Sequence, residues 1–219
     1  MMKKILILTF CILQLSTVVK SQEINSVNNL SLEFGLGYNT LGLNVKSLQQ
    51  NNDRNKFILF PSLKLKYSIP LTKFHQNSFF EITPFVGYNM FGGKSKKESN
   101  GYKDIISLQS FEIGILPTYS LNNKLRFYGG IKGQYIFSAK QKSYGSILDP
   151  IETERKWQTS DMNELFKNIS FNPGAGFNYN ISRFFVGIES WFGIGNLSDS
   201  EGIRIYENNY RIIIGYRIK

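Results

Sequence analysis

Period-two alternation runs through this chain and constrains its fold more than any other feature. In the stretch SFEIGILPTYS, residues 110–120, Phe111, Ile113, Ile115, Pro117 and Tyr119 fall on one side, and Glu112, Gly114, Leu116 and Thr118 on the other. The same theme recurs along the 219 residues. It predicts eight strands near 29–38, 56–69, 78–91, 104–120, 125–138, 167–180, 183–194 and 204–218. Twelve Tyr, eighteen Phe and nineteen Gly beside only six Pro suit strands and turns better than helices.

The breaks between strands alternate in length. PLTKFHQN, LNNK and NIS are short, whereas NTLGLNVKSLQQNNDRN, GGKSKKESNGYK, residues 139–166 and GNLSDSEGI are mostly much longer. An up-and-down barrel in an outer membrane has this asymmetry, with tight periplasmic turns and long outer loops. No segment after residue 21 is long and apolar enough to cross a bilayer as a helix. The expected fold is therefore all-β, an eight-stranded antiparallel up-and-down transmembrane β-barrel. In the longest loop, Asp161 and Glu164 have capping-box spacing and predict the start of a short helix in DMNELF.

The polar face of each strand sets charges among glycines: Glu33 with Gly35 and Gly37, Glu112 with Gly114, Lys132 with Gly130, Arg211 with Gly215. A wet face of a soluble sheet gains nothing from glycine, which weakens a strand. A narrow lumen does, because long charged side chains need empty volume opposite them. Each Lys or Arg turned to lipid costs about 2–4 kcal/mol at the midplane, so reversing the barrel would cost on the order of ten kcal/mol. Glu112 must therefore look inward. The predicted interior holds Glu33, Glu81, Glu112 and Glu189 against Lys64, Lys66, Arg126, Lys132, Arg211 and Arg217, an ion-paired network that fills the lumen and fixes strand register. Pro84, Pro117 and Pro173 fall within strands and predict bulges or strand ends there.

The opening residues divide off from the rest. MMKK followed by ILILTFCILQLSTVV reads as a secretory signal over 1–21, cut near Ser21, with a barrel domain over 22–219. Its removal leaves 23 bases against 16 acids. The single cysteine, Cys11, lies inside that apolar run, so disulfides and thiolate chemistry are excluded from the mature chain. With one histidine, a histidine metal cluster is excluded too. Catalytic residues, cofactors and metals are expected to be absent.

These features together resemble the small outer-membrane β-barrel proteins, including the PorT-like and OmpX-like eight-stranded barrels of the Bacteroidetes. The likeness rests on the signal ending KSQ, on strands such as LEFGLGYNT, FFEITPFVGYNM, FYGGIKGQYIF and NPGAGFNYNIS, and on the closing YRIIIGYRIK. It implies the outer membrane of a Gram-negative bacterium and assembly by the barrel insertion machinery. It implies little about activity, since such barrels include secretion components and many without a known role.

The expected role is structural or surface-interacting, carried by the outer loops of a monomer. Lys94, Lys96, Lys97 and Lys103 would meet lipopolysaccharide phosphates, and residues 139–166 would contact a protein partner. Nucleic acid is not an expected partner, because no basic helix or stacking platform accompanies the charge. A lipid-active enzyme is one rival, but His75 falls in a turn at the periplasmic end, away from surface lipid. A narrow channel or secretion component and a secreted lipid-carrying barrel are the others.

Overall fold

The computed structural model describes residues 29–45, 51–54, 58–75, 78–94, 103–121, 124–144 and 157–218. The expected signal segment lies outside them. Among the described residues ten strands form one sheet: β1 (Asn29–Val45), β2 (Asn51–Arg54), β3 (Leu59–His75), β4 (Ser78–Lys94), β5 (Lys103–Leu121), β6 (Leu125–Tyr144), β7 (Trp157–Asp161), β8 (Ile169–Ile181), β9 (Phe184–Phe192) and β10 (Ile203–Ile218). Eight of them make the ring. Each is antiparallel to its neighbour, and β10 closes back onto β1. β2 and β7 are the additions that alternation did not reveal; they pair with the far ends of β1 and β6.

The ring has two unlike ends. At one, Leu121 pairs with Leu125, Ile181 with Phe184 and His75 with Ser78, so the connections are tight. The first and last described residues, Asn29 and Ile218, also lie at this turn end. At the loop end the strands run on past their expected limits. The expected first loop begins as strand, because β10 is long enough to pair with β1 as far as Val45 opposite Ile203. β6 likewise continues to Tyr144. At the turn end, part of the expected turn 70–77 is strand too: β3 reaches His75 through register shifts at Pro70/Thr72 and Lys73/His75.

The prolines sit differently from expectation. None of Pro84, Pro117 or Pro173 lies at a register shift. Instead the ladder on one side lapses beside each. β3–β4 pairing skips from Lys66/Phe85 to Ile69/Ile82, and β5–β6 pairing skips from Ile115/Ile131 to Thr118/Tyr128. The β8–β9 ladder starts at Gly174, one residue after Pro173. A missing N–H removes a rung without displacing the register, so no extra residue is needed.

Alternation has its expected sense. Phe111 and Ile113 are 60% and 66% exposed, whereas Glu112 is 3% exposed. Leu32, Phe34, Leu36, Ile131, Ile212 and Ile214 also face outward, and in β10 Tyr210 and Tyr216 bracket the isoleucines. Such an outer face, apolar in its middle and rimmed by aromatic rings, suits hydrocarbon.

Candidate functional site

The interior is built in three levels, each set by the parity of its strands. Nearest the turn end, Arg126 of β6 donates through Nη2 to both carboxylate oxygens of Glu81 on β4, at 2.6 and 2.7 Å. Arg217 of β10 is half-buried at the same level, opposite Ser31. One guanidinium nitrogen shared between both carboxylate oxygens makes a charge-assisted contact, stronger than a neutral hydrogen bond.

At mid-height the pairs merge into one network. Lys66 donates to Glu33, and Lys64 donates to Glu189 while lying 3.4 Å from Glu33. Arg211 reaches Glu189 at 3.0 Å and Glu112 at 3.4 Å, and Lys132 donates to Glu112 at 3.0 Å. Lys64 and Lys132 are buried to 1% and 0% exposure. Isolated charges at such depth would lose several kcal/mol of hydration each, and the shared carboxylates offset that loss.

Above this belt sits Glu207, a member of the interior that the charge-and-glycine pattern does not single out. It is fully buried, accepts hydrogen bonds from Gln134 at 2.6 Å and Asn172 at 3.0 Å, and lies 3.9 Å from Lys132. A signal for it exists in the sequence, because it shares the parity of Arg211 and Arg217.

Aromatic rings also point inward. Trp191 and Phe85 pack at 5.9 Å between centroids. The Lys64 ammonium lies 5.2 Å from Phe85 and 5.3 Å from Trp191, and Lys132 lies 5.1 Å from Trp191. Cation–π attraction of this kind strengthens where water is excluded. These rings also correct the reading of the glycines. A Cβ on Gly114 would run into the Phe85 ring, and one on Gly174 into Trp191. The empty volume at these positions serves inward aromatics; a Cβ on Gly87 would crowd the Leu63 carbonyl and the Lys64 stem, one on Gly37 the Asn39 and Asn209 amides and the Arg211 stem, and one on Gly35 the Ser62 hydroxyl.

The loop end is filled otherwise. Leu41, Phe91, Ile106, Leu108, Ile136, Ala139, Phe166, Leu197 and Ile205 form a buried apolar cluster. A register shift after Gln109, where Ser110 pairs with Ile136, turns Ala139 inward instead of outward. The segment between β7 and β8 enters the cluster from above through a single 3-10 turn, Asn163–Leu165, with Phe166 bridged to Ser198. No capping box forms there: the Asn163 N–H donates to Asp161 Oδ1 at 2.8 Å, two residues back, and the turn stops after three residues.

Of the basic loop residues, Lys94 ends β4 and Lys103 opens β5, both half-buried, while Lys96 and Lys97 lie outside the described residues. Residues 145–156 of the long loop lie outside them as well. Among the described residues no three His, Cys, Asp or Glu side chains converge as metal ligands. His75 ends β3 at the turn end.

No curated protein matches this sequence. Among solved structures it is similar to Ail, the attachment invasion locus protein of Yersinia pestis, in complex with the heparin analogue sucrose octasulfate, at 14% identity, covering 87% of this chain and 99% of that one, with a TM-score of 0.48. It is similar to a major outer membrane protein from Thermus thermophilus at 11% identity, over 88% and 100% of the two chains, with a TM-score of 0.47. It is also similar to the outer membrane protease OmpT from Escherichia coli at 10% identity, over 91% and 100%, with a TM-score of 0.45. Residues 19–199 match a family described as the outer membrane protein beta-barrel domain. With that match spanning most of the sequence and the eight-stranded ring in place, the chain belongs to the outer membrane protein beta-barrel domain family.

Proposed function

We propose that this protein is a closed, non-conducting outer-membrane barrel with a structural or surface-interaction role carried by its outer loops. The observation that supports this most is the stacking of two seals along one axis: fully buried Lys64 and Lys132 locked among carboxylates, then an apolar cluster above them. An ion would have to break buried pairs and then cross a dry zone. Eight strands enclose little more than side chains can fill.

The outer end supplies the chemistry for contact. Lys94 and Lys103, with Lys96 and Lys97 between them in sequence, would offer countercharge to lipopolysaccharide phosphates. Residues 139–166 would meet a protein partner, and the barrel would work as a monomer delivered by the insertion machinery after signal cleavage near Ser21. Kinship with PorT-like barrels of the Bacteroidetes rests on the strand motifs quoted above.

Planar-bilayer recording tests the proposal. The wild-type barrel should give no steady single-channel conductance, and neither should Lys94→Gln or Lys103→Gln. Steady openings altered by Lys132→Ala or Glu112→Ala would replace this reading with a narrow channel.

A further inference from the structure

The interior charge does not balance. Among the described residues below the apolar cluster, five buried bases, Lys64, Lys66, Arg126, Lys132 and Arg211, and the half-buried Arg217 face five carboxylates, Glu33, Glu81, Glu112, Glu189 and Glu207. Asp104 is no remedy, since it lies on the far side of Ile106 and Leu108 and accepts a hydrogen bond from Gln141. The surplus falls at the turn end, where Lys66, Arg126 and Arg217 face Glu33 and Glu81, and a surplus positive charge held partly away from water attracts a counterion.

A place for one exists near the turn end. A cavity of about 20 Å³ opens there, lined by two cations, Lys66 and Arg126, with Ser31, Ser68, Thr83 and Asn178 among its polar groups. None of its described lining residues is a carboxylate. Glu33 and Glu81 engage Lys66 and Arg126 from elsewhere. Arg126 is buried, yet its Nε has no hydrogen-bond partner among the described residues. The volume suits one particle of water size or slightly more. Water would fill it without correcting the charge, and phosphate or sulfate would not fit.

We infer that this cavity binds a single small monovalent anion, a halide such as chloride, between Lys66 and Arg126 at the periplasmic end of the barrel. The anion completes the charge balance of the interior and ties β3 to β6 across the lumen. The site is independent of whether the barrel conducts.

Thermal unfolding of the detergent-folded barrel tests it, with chloride replaced by gluconate at constant ionic strength. Gluconate is too large to enter. Chloride should raise the unfolding midpoint along a saturating curve, as a ligand specific to the folded state does. The paired substitution Glu81→Gln with Arg126→Gln removes the cation without stranding its carboxylate, and should abolish the chloride response. Crystals grown in bromide should show an anomalous peak between Lys66 and Arg126. Equal midpoints in the two salts, a response that the double variant keeps, or bromide found only on the outer surface would overturn the assignment.

Discussion

The middle and the loop end of this barrel solve one packing problem in opposite ways. Below the apolar cluster, charged stems and four inward aromatic residues, Phe85, Trp191, Tyr128 and Phe185, interleave with glycines, and order comes from directional pairs. At the loop end aliphatic and phenylalanine side chains meet without directional bonds, partly on residues lowered in from the β7–β8 and β9–β10 connections. The difference teaches where specificity is needed. A slip of one residue in the middle would turn several charges to lipid, so register there is strongly defined. At the loop end, hydrophobic burial tolerates irregular backbone, and bulges and short turns are admitted.

Removing one charge from the middle should have the largest effect. Lys64→Met leaves Glu33 and Glu189 short of their ammonium and should cost about 3–5 kcal/mol in reversible unfolding. Adding Glu189→Gln should recover part of that loss. A double variant that costs the sum of the Lys64→Met and Glu189→Gln losses would mean that the charges are not coupled. At the loop end, Leu108→Ala should cost about 2–5 kcal/mol, according to how far the cluster collapses around the gap. Leu108 lies four residues, about 13 Å, along β5 from Glu112, so its effect should add to that of Lys64→Met within roughly 0.5 kcal/mol. A larger coupling measured in the double variant would show that the two fillings behave as one.

Glycine substitutions sharpen the contrast between inside and outside. Gly215→Ala would drive a Cβ into the Phe185 ring and should cost about 1–3 kcal/mol by overpacking. Gly133→Ala meets only the Phe171 side chain, at 3.3 Å on the outer face, and should change the unfolding free energy much less. The smallest effect belongs to a site outside both fillings. Ser182 holds φ at 58° in the two-residue turn between β8 and β9, so Ser182→Gly should stabilise by about 0.5 kcal/mol, read from the same unfolding curves.

What could be read from the sequence follows from this contrast. Period-two alternation carries the ring and the inward direction of Glu33, Lys64 and Glu112, because a charge facing lipid is so costly. The same parity reaches Glu207, and it also reaches Phe85 and Trp191, whose inward placement is masked by the general preference of large rings for the lipid face. β2 and β7 were not legible, since Asn, Asp, Ser and Thr in those segments read as turn formers and only pairing with the far ends of β1 and β6 makes them strands. Nor was the inward turn of Ala139, which depends on a register shift that no residue in β6 announces.

The seam between β1 and β10 runs unbroken from Leu30 opposite Ile218 to Val45 opposite Ile203. It joins the two members of the ring that are farthest apart along the polypeptide, so nothing local can begin it. Until it zips, both margins would offer bare amide and carbonyl groups to acyl chains, which cannot satisfy them. A copy lacking β10 would therefore have no half-finished resting state in the bilayer, and that one strand decides whether the rest of the ring can stay.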